Sequence, residues 1–396
     1  MTSSAATEPV RPRVGPFAGV LIADLTHALS GPFCTMLLAE LGARVVKVER
    51  PPAGDISRGL GPFIDGDGMM LTFVNRGKES IALDIETHPD RELFLALVQR
   101  ADVVVENFRP GTLERHGIGY DALRAINSRI ILASISGFGS TGPDHWEGAY
   151  DTVIQAMSGI MSVTGAPDGP PTMVGDAIAD CLAGTFAFGA IGAALFARER
   201  TGVGAHIDIA MFDCLFGIMQ CNLGRYFGTG VPPERLGNNL PLTAPFGVFH
   251  TGDGDMAICV GDDVTFAKLA TALGCPQLTT DARFSGNEVR LTNRTTLRAT
   301  LENALSAHAA SQWVEILQHA GVACGIVNTI AQAAADPQTA ARNMIVRVGA
   351  ARAPGNPIKM STLPDPPERP RPPALDADGA AIRRELMQPV QGRARG

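Results

Sequence analysis

Two short apolar strands separated by a single helix constrain this chain more than any other feature in it. Val20-Leu21-Ile22-Ala23-Asp24 reads as a strand, Gly31-Pro32 to Leu41 as a helix stopped by Gly42, and Arg44-Val45-Val46-Lys47-Val48-Glu49 as a second strand. Strand, helix and strand within about 30 residues make a βαβ unit, which demands parallel pairing and a right-handed crossover. The pattern recurs with a helix near 89–100, a strand at 102–105 and another at 129–134. A doubly wound α/β domain is expected. Helices are expected over 152–161 and 177–197, and the alternating stretch 206–210 reads as a strand leading into a helix that ends near Leu223.

Beyond that point the pattern changes. Residues 224–245, rich in Gly, Pro and Asn, read as a linker or active-site loop. Residues 246–260 read as a β-hairpin turning at Gly252-Asp253-Gly254-Asp255. Helices near 264–273, 295–306 and 311–320 and a strand at 323–327 complete a second, smaller α+β domain, and the Pro-rich stretch 353–374 is expected to lie extended.

Composition narrows the function. With 396 residues, 45% hydrophobic and 18% charged, the chain has room for two globular domains. A formal net charge of −7 argues against nucleic-acid or membrane-surface binding, but leaves open an anionic small ligand held by clustered cations. The seven cysteines are scattered, odd in number and not spaced as a metal or redox pair, so reduced thiols and a cytoplasmic protein are expected. Met1–Arg13 lacks the apolar core of a signal peptide or anchor, and charges and prolines interrupt the apolar runs before any reaches bilayer length.

Asp180 stands out. It opens a helix of small residues in Ala177-Ile178-Ala179-Asp180-Cys181-Leu182-Ala183-Gly184, where a carboxylate is closely approachable and poorly solvated. Such a group is either a helix cap or reactive. The turn Leu25-Thr26-His27-Ala28-Leu29-Ser30-Gly31-Pro32 presents a helix N-terminus, a ready anion site, yet lacks the three-glycine dinucleotide fingerprint and a P-loop lysine. Basic residues cluster near the expected strand ends: Arg50, Arg58, Arg76, Lys78, Arg109 and Arg115. Ligands of open α/β sheets bind beyond the carboxyl ends of strands, so their recurrence suggests a polyphosphorylated ligand. Asp151 reads as a cap of its own helix.

With these residues in view, the chain resembles the family III CoA-transferases, the group that includes formyl-CoA and carnitinyl-CoA transferases. The resemblance runs from about Gly19 to about Pro364. It rests on ordered motifs: Gly31-Pro32 with Leu41-Gly42-Ala43, Val46-Lys47-Val48-Glu49 with Gly54-Asp55, and Asn75-Arg76-Gly77-Lys78-Glu79-Ser80. Val105-Glu106-Asn107-Phe108-Arg109-Pro110-Gly111, Ser134-Ile135-Ser136-Gly137-Phe138-Gly139, Tyr150-Asp151, Ala179-Asp180 and Ala320-Gly321-Val322-Ala323-Cys324-Gly325 continue the series.

The resemblance implies a Rossmann-like large domain plus a small α+β domain in an interlaced, ring-shaped homodimer. The divisions it implies are 1–224 for the first part of the large domain, 225–325 for the linker and small domain, and 326–396 for the return to the large domain with a Pro-rich tail. It implies that Asp180 is the nucleophile and that Ala28, Arg50, Leu83, Asn107, Phe108, Arg115 and Tyr150 contribute to the coenzyme A site. No tightly bound cofactor or metal is implied; acyl-CoA and a small carboxylic acid are substrates. Oxalate-acting members carry Trp where Leu60 stands and a four-glycine segment not evident here, which points away from oxalate or formate. Tyr150 stands where the racemase branch has its histidine base. The usual Leu-Gly-Glu-His tail motif is replaced by Leu375-Asp376-Ala377-Asp378.

The expected chemistry is transfer of CoA from an acyl-CoA to a free acid through an aspartyl-acyl anhydride and an aspartyl-CoA thioester. The alternatives are an acyl-CoA racemase of the same fold and a non-catalytic CoA-binding protein.

Overall fold

The structure, a computed structural model, describes residues 14–389. The leader Met1–Arg13 read above lies outside the described residues. The chain divides into two compact units: 14–158, 176–216 and 337–389 among the described residues form the first, and 159–175 with 217–336 the second.

The first unit is built on six strands, β1 (Leu21–Asp24), β2 (Arg44–Glu49), β3 (Glu79–Ala82), β4 (Val103–Glu106), β5 (Ile131–Ser136) and β6 (His206–Ala210). They pair in the order 3-2-1-4-5-6, every neighbour parallel. This is the order of doubly wound sheets, with the reversal between β1 and β4 where such sheets bind ligands. Alternation along β1 sends Leu21 and Ala23 to one face, against Phe94 and Leu97 of helix α2 (His88–Val98). Asp24 points to the other face, where its carboxylate accepts from Thr35 Oγ1 of helix α1 (Ser30–Glu40) at 2.7 Å.

Helix α3 (Asp151–Ser158) is shorter than its periodicity suggests, because Gly159 takes φ +97° and ends it. Helix α4 (Ile178–Thr201) runs longer than expected. By length and composition it is apolar enough to cross a membrane, which corrects the expectation that charges and prolines interrupt every apolar run first. Its Ala183, Gly184, Ala187 and Ile191 are buried in the protein. Gly184 allows α4 to cross α1: a Cβ there would lie 2.5 Å from the Ser30 carbonyl oxygen.

β3 was not anticipated. It is a four-residue edge strand whose outer groups are met by the C-terminal tail. Asp376 Oδ1 accepts the Ala82 N–H at 2.8 Å, Asp378 Oδ2 accepts the Ser80 N–H at 2.9 Å, and the Asp378 N–H donates to Ser80 O at 3.1 Å. The replaced tail motif thus blunts a sheet edge. Helix α5 (Gly379–Leu386) then adds Ile382 and Leu386 to the α2 face.

In the second unit an antiparallel sheet of β7 (Phe246–His250), β8 (Asp255–Cys259) and β9 (Ala323–Ile326) packs against the helices Asp263–Ala272, Arg294–Leu305 and Ala310–His319. The stretch 224–245 is not wholly a loop. Helices Met211–Gly217 and Gln220–Thr229 replace the single helix expected to end at Leu223, so residues 224–229 are helical. The extended tail begins as the second strand of a hairpin, β10 (Ile345–Val348) with β11 (Ala351–Pro354).

Two ion pairs with no exposed atoms sit under the β1–α1 turn: Lys47–Asp55 at 2.8 Å and Lys78–Asp24 at 2.9 Å. Burial alone would raise Asp24, Glu49 and Asp55, but the neighbouring cations and hydrogen bonds outweigh it and hold all three below the ordinary carboxylate range. Their contribution is therefore complete above about pH 4 and is lost as the pH falls through the depressed values. Lys78→Met should destabilise the protein by about 3–5 kcal/mol, the cost of leaving a buried charge alone. Urea denaturation should show Lys78→Met combined with Asp24→Asn losing less than the sum of the two single variants.

Candidate active site

The β1–α1 turn, residues 26–30, is held at nearly every step. Thr26 N–H donates to Asp24 Oδ1 at 2.9 Å, and Lys47 Nζ donates to Thr26 O at 2.6 Å. His27 exchanges two hydrogen bonds with the Asn107 amide: its N–H donates to Oδ1 at 2.9 Å, and Nδ2 donates to its carbonyl at 2.8 Å. Ala28 sits at φ +65°, a left-handed conformation that costs a non-glycine residue roughly 1–2 kcal/mol. The bond from its N–H to Asp55 Oδ1, 3.1 Å, helps to hold it there.

One end of the turn faces a cleft of about 400 Å³ at the carboxyl ends of β1, β2 and β3, lined by His27, Arg50, Leu83, Ile85, Phe108 and Thr112 among others. The other end meets the nucleophile candidate. Ser30, at the start of α1, favours the ionised form of the Asp180 carboxyl.

Asp180 does not cap its helix. The N-cap position of α4 is Ala177, with no side-chain cap bond. Asp151, expected to cap its own helix α3, instead serves α4: its Oδ1 accepts the Ala179 N–H at 2.7 Å and the Asp180 N–H at 3.4 Å, while Oδ2 accepts from Gln155 Nε2 at 2.6 Å. Burial raises the Asp180 carboxyl and the Asp151 charge raises it further; Ser30 opposes them, and the balance leaves it pushed up to about 6.

The residues tied to the coenzyme site by resemblance divide. Leu83 and Phe108 line the cleft, and Ala28 lies in the turn beside it. Arg50 stands at its rim, its side chain 62% exposed and paired with Glu86 at 2.9 Å and Asp84 at 3.6 Å. Both donors of the Asn107 amide are engaged, by His27 O and, at 3.4 Å, by Ser30 Oγ. Arg115 is exposed and donates to Thr112 Oγ1 at 2.9 Å, next to the cleft but not lining it. Tyr150 is 79% exposed and is not brought to the cleft.

The expected cluster of strand-end cations needs correction. Arg58 is bound to Glu49 at 2.7 Å, Arg76 to Glu40 at 2.6 Å and Lys78 to Asp24; these serve the core rather than a ligand. Lys78 in fact precedes β3, at the opposite end of the strand. Ser30 and the cap role of Asp151 were missed. A serine at a helix start was the available signal for the first. Glu106 was missed too: burial pushes its carboxyl up to about 7, and it accepts the Phe108 N–H at 2.8 Å.

The family model for CoA-transferase family III matches residues 17–379. This chain belongs to the family III CoA-transferases. It is 49% identical, over 97% of its length and 98% of the relative's, to a protein of Acetobacter aceti named acetyl-CoA:oxalate CoA-transferase. It is 37% identical, over 91% of its length and 93% of the relative's, to a succinate–glutarate CoA-transferase of Agrobacterium fabrum. The solved structure of a CaiB/BaiF family protein from Brucella suis, 40% identical, superposes with a TM-score of 0.83 over 94% of this chain and 100% of that one. The chain is accordingly an enzyme, a CoA-transferase.

The Asp180 carboxyl should titrate near pH 6, well above an ordinary aspartate. Carboxyl ¹³C NMR can follow it, with the resonance assigned by its loss in Asp180→Asn. Asp151→Asn removes the neighbouring negative charge and should lower that midpoint. A parent midpoint near 4 would contradict this account of the site.

Proposed function

We propose that this family III CoA-transferase moves CoA from a short acyl-CoA to a small dicarboxylic acid, with Asp180 as the covalent relay. An Asp180 oxygen adds to the donor thioester carbonyl, the C–S bond breaks, and an aspartyl-acyl anhydride and CoA thiolate result. The thiolate adds to Asp180 Cγ and expels the donor acid as its carboxylate, leaving an aspartyl-CoA thioester. The acceptor carboxylate then enters, and the same steps run in reverse. No proton is gained or lost overall.

The observation that carries this reading is the setting of Asp180: a carboxylate that caps nothing and is made more basic than usual by burial and Asp151. A more basic carboxylate is a better nucleophile, and at about 6 it is still mainly ionised at neutral pH. The cleft beside the turn is the proposed seat of coenzyme A, with Ala28, Leu83, Asn107 and Phe108 around it and Arg50 and Arg115 toward the phosphates; Tyr150, exposed and away from the cleft, has no part in this seat. The relative from Acetobacter aceti recommends acetyl-CoA and oxalate as first substrates, despite Leu60, with succinate as the next acceptor. Scattered free thiols support a reducing cytoplasmic setting.

Asp180→Asn should lower kcat at least a thousandfold while coenzyme A affinity and thermal unfolding stay near parent values. Hydroxylamine added during turnover should convert Asp180 to its hydroxamate, visible by peptide mass. Transfer surviving in Asp180→Asn with no modified peptide would defeat the relay. Exchange of the α-proton of a chiral 2-methylacyl-CoA in heavy water, without CoA transfer, would instead favour a racemase.

The active form is proposed to be an interlaced homodimer. The outward stripe of α4, with Phe186 48% and Phe196 62% exposed, is an apolar surface that a second copy would cover. Interlocked subunits cannot part without unfolding, so sedimentation at nanomolar concentration should show no folded monomer.

A further inference from the structure

The charges around the cleft do not suit a polyanion as they stand. Lys47 answers Asp55 there, and Arg58 answers Glu49. Histidines aside, the other charged residues that line it are Arg50, Asp84 and Glu86, one cation against two carboxylates. Arg50 is itself already engaged. Its Nη1 and Nη2 donate to Glu86 Oε1 and Oε2 at 3.0 and 2.9 Å, the two-point geometry that a guanidinium also offers a phosphate. A carboxylate of the protein thus covers the donors that a coenzyme phosphate would need.

The two carboxylates differ in what holds them. Asp84 is tied into the turn between β3 and α2. Its Oδ1 accepts the Glu86 N–H at 3.2 Å, its carbonyl accepts the Thr87 N–H at 2.9 Å, and its own N–H donates to Asp90 Oδ2 at 2.8 Å. It stands 3.6 Å from Arg50. Glu86 reaches Arg50 on a longer side chain that is 46% exposed. Its Oε1 also lies 4.0 Å from Nε2 of His116, another residue of the cleft lining. An exposed ion pair shifts an equilibrium by at most about fivefold, so Glu86 can leave Arg50 at little cost, with an imidazole to turn to.

We infer that Glu86 is a competing carboxylate that sets coenzyme affinity: it holds Arg50 until a phosphate of the coenzyme displaces it. This rests on the seat of coenzyme A proposed above. The phosphate prevails in the exchange because the rest of the bound coenzyme delivers it to Arg50 at high local concentration. Glu86 lowers affinity in two ways. Arg50 must be released before it is used, and the displaced charge stays near the phosphates. Both suit a transferase, which takes up and gives back a thioester in every cycle. Coenzyme binding that is equally strong in ground and transition states lowers KM without raising kcat.

The test is calorimetric titration of CoA into the full-length parent protein, Glu86→Gln, Arg50→Ala and the two combined, with thermal unfolding to check folding. Glu86→Gln should tighten CoA about three- to tenfold, and by more at low salt, because exposed charges are screened. KM for acyl-CoA should fall by a similar factor while kcat does not rise. With Arg50→Ala already present, Glu86→Gln should gain only about twofold or less, because no guanidinium remains to be freed. Unchanged affinity in Glu86→Gln overturns the inference. So does weaker affinity, which would show the carboxylate holding the ligand. An equal gain with and without Arg50 also overturns it, since Glu86 would then act only as a nearby charge. Ile56→Trp separates these results from a failure of the proposed seat, because Ile56 is exposed and lines the cleft. If neither Ile56→Trp nor Arg50→Ala changes CoA affinity, the proposed seat and the inference fail together. If either weakens it and Glu86→Gln does not tighten it, the inference alone fails.

Discussion

One buried ammonium holds the turn on which the site is built. Lys47 Nζ, without exposure, lies 2.6 Å from Thr26 O and 2.8 Å from Asp55 Oδ2. Taking such a charge out of water costs several kcal/mol, and a well-packed apolar side chain would often serve stability as well. What an apolar residue could not do is pass the constraint on. Asp55, pinned by Lys47, uses its other oxygen to hold the Ala28 N–H and keep a non-glycine residue left-handed. That conformation orients His27 toward the cleft and Asn107 on one side, and sets Ser30 under Asp180 on the other. The ion pair is best understood as specifying geometry.

The same turn shows a familiar fold used in an unfamiliar way. In doubly wound sheets the first helix N-terminus, close to the reversal of strand order, commonly receives the pyrophosphate of a dinucleotide. Here the glycine fingerprint is absent, and the carboxyl group near that N-terminus is the protein's own Asp180, whose ionised form Ser30 favours. The cleft for a larger ligand lies to one side, over the ends of β1, β2 and β3. A position that elsewhere neutralises a ligand thus lies beside a carboxyl group of the protein itself, and Gly184 makes this possible by letting α4 approach α1 closely.

The parallel sheet was legible in the sequence because β1, β2, β4 and β5 are apolar runs at regular spacing, and β2 and β6 were read to the residue. β3 escaped notice because Glu79-Ser80-Ile81-Ala82 has too little apolar content to signal burial on both faces. The helix breaks after Ser158 and Gly217 escaped because local periodicity continues across them, while glycine conformation and tertiary packing decide otherwise. Asp180 was legible from its small, apolar neighbours. Ser30 and Asp151 were not, because their roles lie in partners 150 and 29 residues away, and no local pattern encodes which carboxylate takes which N–H. Strand-end arginines misled for the converse reason: their acidic partners Glu49 and Glu40 are remote enough that composition cannot pair them.

Asp151 and Ser30 pull the same carboxyl in opposite directions, and the proposed relay would use both. A serine or asparagine would cap α4 about as well as Asp151 does. An aspartate adds a negative charge that, with burial, makes Asp180 more basic, as a carboxylate proposed to attack a thioester should be. Carried further, the same change would work against the enzyme. In the proposed relay the carboxyl is a nucleophile in one step and an electrophile in the next, and a neutralised carboxyl would be neither ionised enough to begin nor activated enough to release. Ser30 restrains the rise by favouring the ionised form.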